Sequence, residues 1–157
     1  MSNDITNGLA HEACDTLISQ FTANAPLDSN LVETIVKASN ADVNFRDYIL
    51  GAPVLDLGHA KAIEFVTALL PLMAEAERVP FYTILASFYY ETGDKELATA
   101  SLHTAQALDP KYSLAQLLTR VMNAGYPAEM LSTMRTEIHP KVVETLVSEA
   151  DRVLVTA

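Results

Sequence analysis

Apolar residues recur three and four apart along nearly the whole chain, the spacing of helices that bury one face. Leu9, Ala13, Leu17 and Phe21 recur every four, with Ala10, Cys14 and Ile18 beside them, and predict a first helix. Residues 1–8 are polar and aperiodic, a frayed and disordered lead-in. Thr22–Pro26 breaks the pattern. Asp28 is then a good N-cap for Leu31, Val32, Ile35 and Val36, a helix ending near Ala38. Val43–Leu50 makes a third short helix, and the two glycines and proline of Gly51–Gly58 predict a loop that turns the chain. His59–Leu70 is a fourth helix. Pro71 ends or kinks it, since proline lacks the N–H and clashes one turn back.

The next stretch, Phe81–Pro110, organises the rest. It predicts two amphipathic helices joined by a tight Gly93-Asp94 turn and stopped by Asp109-Pro110. Ala86 and Ala98 let the two helices approach closely, while Tyr82, Leu85, Tyr89 and Leu102 fill the space between them. The order aromatic, Leu-small, aromatic, turn, small, bulky, Pro at these offsets resembles a tetratricopeptide repeat. The departures keep the character of each position: Tyr82 for Trp, Ala86 for Gly, Leu102 for Phe.

One such repeat cannot bury both its faces, so flanking helices must cover it. No second repeat follows in register, because Gln116 and Thr119-Arg120 stand where an aromatic and a Leu-small pair would fall. Tyr112–Ala124 is instead a packing helix, with Leu114, Leu117, Leu118, Val121 and Met122 apolar. After Gly125 and Pro127 come two further helices: Ala128–Ile138, and one that begins at Pro140 and runs to about residue 155. The expected fold is therefore all-α, a single domain over residues 1–157 with a tetratricopeptide-like hairpin at 81–110.

Composition narrows the function. The net charge is −10, from 20 acidic and 10 basic residues, and the basic residues are scattered singly. No basic stripe follows a phosphate backbone, so direct nucleic-acid binding is not expected. The single Cys14 leaves no internal disulfide, which fits the cytosol. No signal-like or membrane-spanning run is present, and a cytoplasmic protein is predicted.

A wider likeness rests on three segments: the Arg46-Asp47-Tyr48-Ile49-Leu50 helix, Thr92–Leu118 with its Gly-Asp turn and Asp-Pro-x-Tyr-x-Leu-Ala run, and Asn123–Pro127. Together, over roughly Val43 to Pro127, they resemble the C-terminal half of an actinobacterial family of domains of unknown function. The resemblance implies an actinobacterial cell or one of its phages as source, and a fold, but no reaction and no cofactor. Family members are commonly longer, with an N-terminal half of mixed α/β character.

Candidate chemistry is sparse. His11, His59, His103 and His139 lie on four separate segments, none with a His or Cys four residues away, so no metal site is expected. Asp15, Asp47, Asp56 and Asp109 accompany no nucleophile elbow, phosphate loop or Ser-x-x-Lys motif, and no catalytic residue, cofactor or enzymatic activity is assigned. Arg46-Asp47 is an internal ion pair or a partner contact, with the internal role preferred. In tetratricopeptide-type hairpins the first helix lines the concave side, which places Thr83, Ser87, Tyr90 and Glu91 on a groove for a peptide or helix. The alternative for these four is a solvated or helix-covered face. The predicted function is non-catalytic protein–protein interaction. Its rivals are an acidic, phage-borne inhibitor or decoy of a basic host protein, and a self-associating accessory protein that dimerises through the last helix.

Overall fold

In the computed structural model the backbone is described for residues 3–156 and the side chains for residues 9–148. Among the described residues eight α-helices follow one another: α1 Asn3–Thr22, α2 Ser29–Ala41, α3 Val43–Leu57, α4 His59–Leu69, α5 Val79–Glu91, α6 Lys95–Leu108, α7 Ser113–Asn123 and α8 Ala128–Thr156. No strand occurs among the described residues. Two 3₁₀ turns, Leu70–Leu72 and Glu75–Arg78, bridge α4 and α5. The lead-in expected over 1–8 falls on residues whose side chains are not described; from Asn3 the backbone is helical.

Local chemistry sets several boundaries. Asp28 caps α2 by accepting from Asn30 N at 2.8 Å and Leu31 N at 3.2 Å. Asp94 caps α6 through Leu97 N at 3.0 Å. Between α5 and α6, Gly93 takes φ +84°, a left-handed turn that a side chain would oppose.

Two expected breaks are absent. The Gly51–Gly58 stretch is not a loop: α3 runs through Gly51 and Pro53 to Leu57. Both residues are buried there, and packing outweighs their poor helix propensity. Pro140 likewise does not start a helix but sits inside the continuous α8. Pro140 and Thr136 are both exposed, so water can hydrate the Thr136 carbonyl that proline leaves without a donor.

Helix α5 lies between two apolar clusters. Phe81, Ile84, Leu85 and Phe88 join the large core built from α1–α4 and Val142 and Leu146 of α8. On its other side Val79 and Ala86 meet Leu102 and Ala105 of α6 and Ala115 and Leu118 of α7. A helix apolar all round is a buried one, and here it carries the fold. Helices α5 and α6 pack against each other, and Ala86 of α5 and Ala98 and Ala105 of α6 are fully buried. Helix α8 returns across the molecule and packs on α1, α3 and α5.

Candidate functional site

The face of α5 chosen from the sequence is covered by the chain itself. Thr83 is buried, its Oγ1 donating to the Val79 carbonyl at 2.9 Å. Tyr90 is buried too, and its hydroxyl donates to the Tyr126 carbonyl at the turn into α8. Ser87 donates to Glu91 Oε2 at 3.1 Å. The side chain of Glu91 is wholly buried, because Arg135 of α8 lies over it. Ser87 is buried as well, and of the four it is the one that lines the groove between α7 and α8.

Arg135 is the residue that closes this face. Its Nη1 and Nη2 both donate to Glu91, the second at 2.5 Å to Oε2. Its Nε donates to the Leu50 carbonyl of α3 at 2.7 Å, and its guanidinium carbon lies 5.4 Å from the centre of the Phe88 ring. Ser132 Oγ donates to Glu91 Oε1 at 2.8 Å, and His59 Nε2 lies 3.2 Å from the same atom. Burial pushes the Glu91 carboxyl up. The bonds and charge of Arg135, then His59 and Ser132, overcome it, and the group is held below the usual carboxylate range. One carboxylate thus ties α8 to α5 and α4, and its partner Arg135 adds α3.

Where α8 diverges from α7, a groove of about 300 Å³ remains. Leu114, Leu117 and Val121 of α7 form one wall, and Met130, Met134 and Ile138 of α8 the other. Its floor comes from Leu50 and Gly51 of α3, with Ser87 of α5. Leu117, Tyr126, Met130, Met134 and Ile138 are each 41–47% exposed, unusual for large apolar side chains gathered in one place. The lining is mostly apolar. Besides the Tyr126 phenol, its ionisable groups are Asp47, Arg135 and His139.

Each of these is held differently. Arg135 is neutralised by Glu91. Asp47 accepts from Arg46 Nε at 3.2 Å and Nη2 at 3.0 Å, both on Oδ1, and its side chain is 36% exposed. Arg46 also lies near Tyr112, in the segment before α7. His139 sits on Gly51 so closely that a Cβ there would lie 2.1 Å from its Nδ1. The ring packs on Tyr48 at 5.2 Å, and its buried Nδ1 has no hydrogen-bond partner. Burial pushes the His139 imidazole below its ordinary value, Asp56 and Asp15 pull it back, and Arg135 adds to the lowering. Behind it the Tyr48 hydroxyl donates to Asp15 at 2.5 Å.

Arg135, His139 and the Met130–Met134–Ile138 row were not singled out as a site from the sequence. One signal was available: Arg135 lies four residues after Leu131 and seven before Val142, a cation inside an apolar stripe. No group of three or more His, Cys, Asp or Glu able to hold a metal occurs among the described residues. No helix among them is long and apolar enough to cross a membrane.

The molecule is thus an all-helical domain whose last helix is pinned by a buried ion pair beside an apolar groove. Residues 9–129 match the family described as Domain of unknown function (DUF4192), and the chain belongs to that family. The match begins well before Val43, so α1 and α2 are also part of the family region. No curated protein and no solved structure matches the chain.

Proposed function

We propose that this domain is a non-catalytic protein–protein interaction module that receives a helical segment of another protein in the groove between α7 and α8. In this reading the α5–α6 pair is a tetratricopeptide-like hairpin, with Tyr82, Ala86, Tyr89, Ala98 and Leu102 in the repeat positions. It serves as the scaffold rather than the contact. Its concave face is already occupied by α8, and the next available apolar surface is the groove beside that helix. The observation that carries the reading is the exposed row Leu117, Met130, Met134 and Ile138 on facing walls. Surface of this kind loses water favourably against a partner, at about 25 cal/mol per Å². A binding role rather than a catalytic one is supported by how the polar groups are used: Ser87 and Arg135 bond Glu91, and Asp47 bonds Arg46. The buried Cys14 fits a cytoplasmic setting.

The test compares Met134→Glu and Leu117→Glu with Leu97→Glu, a change at an exposed leucine of α6 that does not line the groove. All three should keep the helical signal and melting temperature. The two groove variants should lose a partner that the wild type and Leu97→Glu both retain from cell extract. Retention of the same partner by Met134→Glu would sink the groove reading.

A further inference from the structure

We propose that the segment taken by the groove is a basic amphipathic helix whose Lys or Arg meets Asp47, an inference that rests on the groove being an interaction site. Three observations lead there.

The first is backbone chemistry. Both walls are helices, whose N–H and C=O groups, the solvated Thr136 carbonyl apart, are bonded along their own axes. An extended peptide would find no sheet edge to pair with and would bury bare backbone groups against leucine and methionine. A helix satisfies its own backbone and presents only side chains. Met130, Met134 and Ile138 stand four apart on one ridge of α8, spanning roughly 12 Å at about 1.5 Å per residue. That length suits about two to three turns of a partner with apolar residues three and four apart. The unbranched methionines adapt to such a surface.

The second is charge. The cation within the groove, Arg135, is withdrawn from water against Glu91, whereas Asp47, paired with Arg46 through Oδ1, keeps a 36% exposed side chain at the groove. Both bonds from Arg46 fall on its Oδ1. Between Ala128 and Ser148, α8 exposes Glu129, Glu137 and Glu144 against Lys141, and α7 exposes Arg120. The whole chain carries −10. A cationic helix is drawn to this surface and an acidic one is repelled.

The third concerns the other candidate occupant. A second copy of this chain would bring another −10 and the same acidic α8 to the contact, so its apolar match would work against its charge.

The experiment uses the full chain and two labelled synthetic peptides of about four turns. One is a Leu/Lys amphipathic helix, the other its Leu/Glu counterpart, and binding is read by fluorescence anisotropy at low and high salt. The Leu/Lys peptide should bind the wild type. It should be lost from Met134→Glu, although that variant is more acidic, because the apolar wall is interrupted. Asp47→Asn should weaken it roughly fivefold, with a shallower salt dependence. Equal binding of the Leu/Glu peptide, or an Asp47→Asn variant that binds like wild type, overturns the basic partner while leaving the groove in place. Equal binding of Leu/Lys by wild type and Met134→Glu removes the groove itself. If neither peptide binds, the proposal falls, and a dimer in light scattering that Met134→Glu abolishes assigns the groove to a second copy.

Discussion

Arg135 closes a two-pronged ion pair on Glu91, 44 residues earlier in the chain, and both side chains are withdrawn from water. The pair is the point at which α8 is fastened. A buried carboxylate without its cation is costly, so Arg135→Ala should destabilise the fold by roughly 3–5 kcal/mol. Replacing both members, as Glu91→Leu with Arg135→Met, should recover much of that loss. Urea unfolding of the single and double variants measures the coupling.

The same pair sets an acid limb of stability. Glu91 is held below its unfolded value, so its contribution is complete above about 4.5 and is lost as pH falls through the folded value. Thermal melts of the wild type should drop on acidification in that window. Glu91→Gln should start lower and lose less over the same range.

His139 adds a separate limb at higher pH. Its imidazole is neutral in the fold and takes a proton more readily when unfolded, since burial lowers its value from 6.5. Stability from this group is therefore complete above about 6.5 and declines as pH falls toward the folded value. Melting temperatures between neutral and mildly acidic pH should decline in wild type, and His139→Gln should flatten that part of the curve while leaving the Glu91 limb.

Gly51 of α3 lies directly against the His139 ring of α8. Gly51→Ala puts a methyl into the His139 ring and should cost roughly 1–3 kcal/mol, despite alanine's better helix propensity. Adding His139→Ala should relieve the clash. A Gly51→Ala variant as stable as wild type in thermal melts would mean that the two helices do not meet there.

Cys14 is fully buried in α1, and burial first, then the charges of Asp15 and Asp56, push its thiol well above its ordinary value. Native protein should resist thiol-labelling reagents while denatured protein reacts at once. Rapid labelling of the folded chain would place α1 elsewhere.

The helices, most of their ends and the central place of Phe81–Pro110 could be read from the chain alone, because their causes are local. A 3.6-residue apolar period, Asp28 and Asp94 as caps and the Gly93 turn act within a few residues of one another. Local rules failed at Gly51, Pro53 and Pro140, where α3 and α8 continue through residues that usually end helices. The packed neighbours of α3 outweigh the propensity of Gly51 and Pro53, and solvent relieves Pro140. The face of Thr83, Ser87, Tyr90 and Glu91 was identified as one surface, but what covers it depends on where α8 returns. That return is fixed by contacts across long separations: Arg135 with Glu91, 44 residues away, and with Leu50, 85 away. No periodicity encodes such pairings, since they arise only when buried charge and apolar area from distant helices are satisfied together. The sequence by itself determined which segments are helices and which faces seek burial; the tertiary structure decided which of those faces met, and so where a groove was left open.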